Sequence, residues 1–421
     1  MEIIQTYLSS NPTFNIDALV KFIYSQIPNK PYHHRIHYKK YPEHNLIQLF
    51  TESSQEYSKN TLFNACRSIL FDTINNKIVS FSHPNIEYVN QLPENLQEIS
   101  FTESHEGTLI SVFYHNNKWF YATRREIDMY KTHKISSSLK SELSHGLMFE
   151  DALSKLGLTK EIFESRLNPE NQYYIELVHY QNTFNISFES RFGDNYAKLF
   201  LLFIRNNSIL ITGNIEGIEN NPVLTLDEVK TQLSDLNMVV EGYIYLSEKE
   251  DNHMCKVLHP MYYEKMKFNP GLRTPQEQYI YLYQKDLLSE YVTKNNKVVY
   301  KTTDLGEEVE IKGLMACIFL YVGQRLLDIY YKFNTNRMIH KQEELFKTLF
   351  MQNNKYYLIF HILGMMKGIH KNKQLNILEM KKLLKYKLVA SDIWKIFNEL
   401  LEFETNENIL TPWSNPLVKM F

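Results

Sequence analysis

The chain has 421 residues, 43% of them hydrophobic and 22% charged, with 13 Gly, 13 Pro and a formal net charge of −2. These values are typical of a soluble globular protein with a real core and two or three domains, and they exclude long flexible linkers. Tyr (29) and Phe (25) are abundant, a bias that AT-rich codons can produce and that suggests a viral or plasmid origin.

The cellular compartment is indicated by three features. Cys66, Cys255 and Cys317 are far apart, which fits neither a disulfide framework nor a zinc pattern, so we expect three buried thiols. The N-terminus lacks the basic and apolar regions of a signal peptide. Apolar runs such as 314–322 are shorter than the roughly 20 residues that span a membrane. We therefore predict a cytoplasmic protein in a reducing environment, without membrane association.

In chain order, the first half predicts a mixture of helices and strands. Residues 2–28 have the apolar spacing of one or two short helices. The basic, aromatic segment 31–45 predicts a loop and a short strand, which either contacts RNA or is a solvated surface. Two hairpins are predicted, 68–72 with 78–81 around Asn75–Asn76, and 108–114 with 119–123 around Asn116–Asn117.

Further along, helical spacing is expected at about 136–166, and strands at 173–179, 184–188, 197–204, 240–246 and 253–258. The first half is therefore predicted as α+β with a largely antiparallel sheet. After residue 274 the pattern is helical. Helices are predicted near 275–292, 313–333, 340–352, 356–370, 376–388 and 391–403, with a break at 293–312. We predict an α+β domain over 1–270 and an all-helical domain over 271–421.

Charge is unevenly distributed between these two halves. Residues 272–421 contain 21 Lys and Arg against 16 Asp and Glu, whereas the rest of the chain has a balance of −7. Residues 355–395 contain nine lysines and two acids. A basic C-terminal half is where a polyanion would bind, and the alternative is a solvated helix face. The candidate RNA-binding residues are Lys367, Lys371, Lys373, Lys381, Lys382 and Lys385, with Lys387 beside them.

Four short segments carry the chemistry, and they occur in one order. They are residues 65–72 (ACRSILFD), 103–111 (ESHEGTLIS) with 122–125 (ATRR), 174–178 (YIELV), and 241–244 (EGYI) with 255–258 (CKVL). This order resembles the phage-type RNA ligases that repair broken tRNA, a family of the covalent nucleotidyltransferase superfamily. The resemblance covers about residues 60–265 and implies an RNA ligase-like nucleotidyltransferase fold.

The resemblance also implies a role for each matching position. In the family, a lysine in a K-x-D-G motif attacks the α-phosphate of ATP to form lysyl–AMP, and the glycine admits the nucleotide. Carboxylates of the later segments hold the ribose, the lysine or a metal, and a K-x-K strand neutralises phosphates. Matching positions in this chain are Arg67, Glu106, Gly107, Arg124, Glu176, Glu241, Lys256 and Tyr262.

Three positions depart from the family pattern. Ser104 stands where the nucleophilic lysine is expected, Leu258 where the second lysine of the final strand is expected, and Glu87 where another phosphate-facing lysine is expected. A serine hydroxyl is a poor nucleophile without an adjacent base, and His105 should face the opposite side of a strand. Lys118, the nearest lysine downstream, lies at the far end of a hairpin. A pocket with these changes should hold ATP poorly.

Other catalytic patterns are missing from the sequence. His33, His34 and His37 lack partners at ligand spacing, so no metal site is predicted. There is no P-loop, G-x-G-x-x-G, G-x-S-x-G or H-E-x-x-H motif. Tyr279, Tyr281 and Tyr283 are interpreted as helix packing.

Three hypotheses about function follow. The first is a catalytically inactive RNA ligase-like protein that binds RNA, including tRNA, or docks onto an RNA-processing or transcription complex, with no cofactor. The second is an active RNA ligase with a displaced lysine nucleophile, which would use ATP and Mg²⁺. The third is a purely structural subunit without a nucleic-acid role.

Overall fold

A computed structural model describes most of the chain. The described residues are 2–27, 36–51, 61–83, 86–89, 92, 99–135, 140–183, 185–206, 209–211, 213–237, 239–246, 254–269, 272, 274–294, 300–302, 308–335, 357–370 and 374–406. The chain divides into two compact units, Met1–Gly271 and Leu272–Phe421. The first is a mixed α+β unit with mainly antiparallel sheets and the second is mainly helical, which confirms the predicted fold class.

The first unit is organised around three sheets. Its described strands are β1 (Ile36–Tyr41), β2 (Leu46–Thr51), β3 (Ile69–Asp72), β4 (Lys77–Ser80), β5 (Ile86–Val89), β6 (Phe101–Ser104), β7 (Thr108–His115), β8 (Lys118–Ala122), β9 (His133–Ile135), β10 (Lys140–Ser144), β11 (Asn171–His179), β12 (Ala197–Asn206), β13 (Ile209–Ile211), β14 (Glu219–Asn220), β15 (Val223–Leu224), β16 (Gly242–Leu246) and β17 (Met254–Leu258).

The sheets have simple orders. One is β1-β2-β3-β4, a second is β13-β12-β11-β7-β8 with β14 parallel to β12, and a third is β15-β6-β16-β17-β5, where β17 and β5 are parallel. Strands β9 and β10 form a separate two-stranded sheet. The antiparallel pairing of β6, β16 and β17 brings the second and fourth sequence motifs onto neighbouring strands.

Helices of the first unit cover the apolar faces of these sheets. They are α1 (Glu2–Ser10), α2 (Ile16–Ser25), α3 (Thr61–Ala65), α4 (His145–Lys155), α5 (Lys160–Ser165), α6 (Glu189–Phe192), α7 (Leu226–Ser234) and α8 (Pro260–Phe268), with 3-10 turns at Pro42–His44 and Met129–Lys131. The largest core of this unit joins α4 and α5 to β7, β8, β11 and β12, and includes Phe149, Phe163, Ile175 and Leu199. Helices α1 and α2 pack on β2 and β3.

The asparagine turns form as the sequence predicts. Asn116 and Asn117 both have positive φ, 47° and 61°, between β7 and β8, and Asn76 has φ 48° between β3 and β4. A two-residue turn with positive φ at both positions matches the right-handed twist of the strands, and Asn tolerates that conformation better than most residues. The local sequence therefore sets the register of both hairpins.

Two predicted elements of the first unit are wrong. Residues 140–144 form β10 rather than the start of a helix, because Ser144 caps α4 by accepting the N–H of Leu147 at 3.2 Å. Residues 185–188 have no strand partner, because the N–H groups of Asn185 and Ile186 donate instead to the carboxylate of Glu106, at 2.6 and 3.0 Å.

The described residues of the second unit form helices and one pair of strands. It contains α9 (Pro275–Gln284), α10 (Leu288–Lys294), β18 (Tyr300–Thr302), β19 (Glu308–Glu310), α11 (Ile311–Thr335), α12 (Tyr357–His370), α13 (Ile377–Tyr386) and α14 (Ala390–Asn406). Helix α11 packs on α9, α13 and α14, and the amide of Gln284 donates to the carbonyls of Leu384 and Leu388, at 2.7 and 2.9 Å.

Three expectations for the second unit need correction or limits. The break at 293–312 contains the antiparallel pair β18-β19, so the unit is not purely helical. Cys317 is exposed, whereas Cys66 and Cys255 are buried as expected. The predicted helix at 340–352 lies outside the described residues. Tyr279 and Tyr283 pack in α9 as predicted, against Tyr291 and Phe319.

Helix α11 is apolar over more of its length than the short apolar run 314–322 suggests. Its segment Ile311–Tyr331 is long and apolar enough to cross a membrane by length and composition alone. In the structure 56% of an apolar 18-residue window of that segment is buried within the protein. Core helices of globular proteins have the same length and composition.

Candidate functional site

Ser104 and Glu241 are joined at the edge where β6 meets β16. The backbone N–H of Glu241 donates to the carbonyl of Ser104 at 3.0 Å, and the Ser104 hydroxyl donates to the Glu241 carboxylate at 3.1 Å. The ammonium of Lys256, on β17, contacts the same carboxylate oxygen at 2.6 Å. One carboxylate therefore binds both the serine at the expected nucleophile position and the nearby lysine.

The close approach of these strands depends on Gly242. A Cβ at this position would lie 2.2 Å from the carbonyl oxygen of Val257 and 2.9 Å from the Cα of Leu258. Gly242 is paired with Ser104 on one side and with Leu258 on the other. Two of the three positions where the resembled family has a lysine are thus placed on either side of one glycine.

The ion pair between Glu241 and Lys256 is well shielded from water. Their side chains are 12% and 7% exposed. Burial raises the pKa of Glu241, and the Lys256 ammonium partly offsets this effect. The ring of Tyr88 lies 5.7 Å from the Lys256 ammonium and adds a cation–π contact.

Glu106 is fully engaged by groups of the protein. Its carboxylate accepts the backbone N–H groups of Asn185 and Ile186, the side-chain amide of Asn185 at 3.0 Å and the hydroxyl of Tyr262 at 3.1 Å. Gly107 follows, and a Cβ there would lie 2.6 Å from the carbonyl oxygen of Leu177. The glycine of this motif is therefore required by backbone packing. The hydrogen bonds to the Glu106 carboxylate hold the 185–186 segment in place.

His105 is buried between two carboxylates. Its imidazole nitrogens lie 3.6 Å from Glu103 and 3.4 Å from Glu176, and its ring stacks on Phe200 with centroids 4.5 Å apart. Burial by itself lowers the pKa of His105, but the two carboxylates outweigh it and raise the pKa. Arg191, 2.5 Å from Glu103, completes the group.

These side chains form one buried cluster, which we call the carboxylate cluster. It contains four acids and three bases: Glu103, Glu106, Glu176 and Glu241 with His105, Arg191 and Lys256. The cluster has a net charge of −1 when His105 is protonated and −2 when it is neutral. Among the described residues, no three His, Cys, Asp or Glu side chains are arranged to hold a metal ion.

The structure brings some sequence-predicted residues together and leaves others apart. Glu106, Glu176, Glu241 and Lys256 belong to the carboxylate cluster, with Ser104 and Gly107 beside it. Arg67 and Arg124 are half-buried on the turns after α3 and β8. Glu87 is exposed on β5 and is paired in register with Cys255.

The sequence did not identify Glu103, Arg191 and Asn185 as members of this site. Glu103 and His105 are two residues apart near the end of β6. This spacing predicts that their side chains lie on the same face of the strand, and it could have linked Glu103 to the site. Arg191 and Asn185 come from a segment more than 75 residues downstream, and no local pattern connects them to it.

The candidate RNA-binding lysines of the second unit differ in their contacts. Lys367, Lys381 and Lys382 are exposed, and Lys382 contacts Glu379 at 3.2 Å. Lys385 donates to both carboxylate oxygens of Asp286 at 2.7 Å, a hydrogen bond that raises its pKa. Lys371 and Lys373 lie outside the described residues.

The basic, aromatic segment 31–45 is described from residue 36 onward. The hydroxyl of Tyr38 donates to Asp17 at 2.9 Å, and Lys39 pairs with Glu126. His37 stacks on Phe50 at 5.7 Å, whereas His33 and His34 lie outside the described residues.

Comparison with known proteins gives likenesses of fold at low identity. No family model matches the chain, and no curated protein matches it. Among solved structures, a putative ATP-dependent DNA ligase from Aquifex aeolicus is 13% identical, with 66% of this chain and 74% of that chain covered and a TM-score of 0.38.

Two further solved structures are similar at the same level. An archaeal ATP-dependent RNA ligase is 10% identical, with 67% and 68% of the two chains covered and a TM-score of 0.38. A mutant of Naegleria gruberi RNA ligase with ATP and manganese is 11% identical, with 45% and 64% covered and a TM-score of 0.28. The solved neighbours are thus ATP-dependent DNA and RNA ligases. With TM-scores of 0.38 or less and identities of 13% or less, these likenesses carry no argument about this chain, and what the site can do depends on its own side chains.

Proposed function

We propose that this protein has an RNA ligase-like nucleotidyltransferase domain that does not form an enzyme–AMP adduct, and that it acts as an RNA-binding or assembly subunit of an RNA-processing or transcription machine in the cytoplasm. The observation that supports the proposal is the state of position 104. A serine hydroxyl stands there in place of an amine, and it donates a hydrogen bond to Glu241, whose carboxylate is already ion-paired with Lys256.

The charges of the site also oppose reaction with ATP. The described amine nearest to Ser104 in the cluster is that of Lys256, and it forms an ion pair with Glu241. An ammonium in such a pair has no free electron pair with which to attack phosphorus. The net negative charge of the carboxylate cluster would repel the roughly four negative charges of ATP.

Metal-assisted chemistry is also poorly supported. Glu106 accepts four hydrogen bonds, and the carboxylates of Glu103, Glu176 and Glu241 contact bases of the protein. Binding of Mg²⁺ at Glu106 would require breaking its hydrogen bonds, and at the other three carboxylates Mg²⁺ would compete with the bases already in contact with them. We therefore expect no ATP or Mg²⁺ cofactor in this domain.

The first experiment is incubation of the purified protein with α-labelled ATP and magnesium. We expect no covalent label on the protein. A label on the wild type would establish the active-ligase alternative and overturn the proposed inactivity. Mass spectrometry of the labelled peptide would then identify the residue that carries AMP and decide whether Lys256 or another lysine is the displaced nucleophile.

The second experiment tests RNA binding by the second unit. We expect tRNA and single-stranded RNA to bind at low ionic strength, with an affinity that falls steeply as salt increases, because phosphate contacts release counterions. The double variant Lys367→Ala/Lys381→Ala removes two exposed charges and should weaken binding. Lys294→Ala, in the exposed pair with Glu290 at 3.1 Å, is the control with the same type of charge change.

The third function, a purely structural subunit, is decided by the same measurement. If RNA binding is absent at low salt and a protein partner co-purifies, the nucleic-acid role is wrong and the structural role replaces it. Unchanged binding in the double variant would remove the second unit from the proposed RNA-binding surface.

A further inference from the structure

A small cavity lies beside the edge strand β8, away from the residues of the carboxylate cluster. It has a volume of about 200 Å³ and is lined by β8, by residues 127–131, by the end of β1 with the 3-10 turn Pro42–His44, and by the first residue of α5. Strand β8 is the terminal strand of its sheet among the described residues. Its walls combine the three amines of Lys118, Lys131 and Lys160 with five aromatic rings, those of Tyr41, Trp119, Phe120, Tyr121 and Tyr130. We call it the aromatic–lysine pocket.

Lys160 is held in this pocket by rings. Its ammonium lies 4.8 Å from the ring centre of Tyr121 and 5.2 Å from that of Tyr130. Both rings are fixed in turn, because the Tyr121 hydroxyl donates to Glu164 at 2.8 Å and the Tyr130 hydroxyl donates to Glu150. The ammonium is therefore preorganised without a carboxylate partner, and its N–H groups remain available to an anion.

The charges around the pocket favour an anion. Lys118 lies over the ring of Phe120 at 5.3 Å, and neither Lys118 nor Lys160 forms an ion pair within the described part of the chain. Lys131 contacts Asp128 at 3.6 Å, and the Asp128 carboxylate also accepts the N–H of Tyr130 at 3.0 Å. Glu43 is the other acid of the lining. The lining itself thus has three ammonium groups and two carboxylates, and Glu150 and Glu164, which are not part of the lining, accept the hydroxyls of Tyr130 and Tyr121.

Size and lining limit the ligand further. The volume is below the roughly 300–1,000 Å³ of sites for drug-sized ligands, so only a small group or the end of a larger molecule fits. Trp119 and Tyr130 are half-buried and present ring surface, which suits a sugar or a base. Amines together with aromatic rings are the combination that binds a phosphate attached to a base.

We propose that the aromatic–lysine pocket binds the phosphate of a single nucleotide, either free or at the end of an RNA strand, with Lys118 and Lys160 contacting the phosphate oxygens. The rings of Trp119 and Tyr130 would pack against the sugar and the base. The proposal concerns a second site of the first unit, and it stands whether or not Ser104 marks an inactive cleft.

The test is equilibrium binding measured by titration calorimetry with the full-length protein. The probes are AMP, adenosine, and a single-stranded hexanucleotide RNA with and without a terminal phosphate. We expect AMP to bind and adenosine to bind at least tenfold more weakly, because the phosphate supplies the charge-assisted contacts. Lys118→Met and Lys160→Met should each weaken AMP binding about tenfold.

Controls separate a site from a general effect of charge. Lys230→Met removes an exposed lysine of α7 and should leave AMP affinity unchanged. Lys118 is exposed, so its variant should retain the wild-type melting temperature even if Lys160→Met does not. Tighter binding of the RNA with a terminal phosphate than of the same RNA without it, with the difference lost in Lys118→Met, would assign the site to RNA ends. Binding of AMP with no difference between the two RNAs would assign it to free nucleotides.

Several results would overturn the proposal. These are equal affinity for AMP and adenosine, wild-type affinity in the Lys118→Met variant, or an equal loss in Lys230→Met. None of them would affect the adenylation result or the salt-dependent RNA binding of the second unit, so the two proposals fail separately.

Discussion

Removing the Lys256 ammonium should destabilise the folded protein, because the buried carboxylate beside it would lose its ion-pair partner. In the Lys256→Met variant, Glu241 keeps its negative charge in a position where its side chain is only 12% exposed. At the observed distance of 2.6 Å, an effective dielectric constant of about 20 gives roughly 6 kcal/mol of lost attraction. Relaxation and protonation of Glu241 reduce this, so we expect a loss of about 3–5 kcal/mol at pH 8.

The loss should depend on pH in a defined direction. Burial raises the pKa of Glu241 already in the wild type, and removal of Lys256 raises it further. A carboxyl group whose pKa is higher in the folded than in the unfolded state stabilises the folded state while it is protonated. This contribution to stability is complete below the unfolded-state pKa of about 4.3 and is lost as the pH rises through the folded-state pKa. The variant should therefore be closer to the wild type at pH 5 than at pH 8.

The assay is urea unfolding at both pH values, with hydrogen exchange of the β16 and β17 amides to locate the change. The double variant Lys256→Met/Glu241→Gln is the matched control, because a neutral pair should recover most of the loss. The reasoning is refuted if Lys256→Met lies within about 1 kcal/mol of the wild type at pH 8, or if the double variant is no more stable than the single one.

Three further predictions concern stability. His105→Gln should destabilise the protein more at pH 6 than at pH 9 in thermal melts, because the raised pKa of His105 contributes stability at low pH that is lost as pH rises through it; equal losses would contradict the buried imidazolium. Glu399→Gln should stabilise by about 1–3 kcal/mol at pH 8 and by little at pH 4, since burial raises the pKa of Glu399 to about 7; a destabilised variant at pH 8 would count against this. Gly242→Ala should lower the free energy of unfolding in urea by at least about 2 kcal/mol, because its Cβ would clash with backbone atoms. Gly313→Ala, in the open first turn of α11, should be neutral or stabilise the protein by up to about 1 kcal/mol. Equal effects of the two substitutions would exclude the clash.

The parts of the fold that sequence predicted are those set by local chemistry. The hairpin at Asn116–Asn117 follows from two residues that accept positive φ between alternating strands. The strand expected at 184–188 failed for the opposite reason. Its residues alternate between apolar and polar as in a strand, but the N–H groups of Asn185 and Ile186 are taken by Glu106, about 80 residues earlier in the chain. A long-range carboxylate overrode the local preference.

The candidate site shows the same division. Glu106, Glu176, Glu241 and Lys256 were identified because each belongs to a short motif with recognisable spacing. Glu103 and its partner Arg191 were not, since Arg191 reaches Glu103 across 88 positions and no motif contains it. Short-range patterns therefore identified the pair of Glu241 and Lys256, and three-dimensional proximity was needed to find the pair of Glu103 and Arg191. The predicted inactivity and the RNA-binding lysines stay predictions.

The mutual pairing inside the carboxylate cluster restricts how this protein can change over evolutionary time. Each acid there is matched by a donor or cation from a different strand or turn, so a single substitution leaves an uncompensated buried charge. Restoring an amine at position 104 alone would place a second cation next to Lys256. We therefore expect drift at 241 and 256, or at 103 and 191, to occur in coordinated pairs among descendants of this chain. Such paired changes would make a return to an amine nucleophile a path of several simultaneous steps.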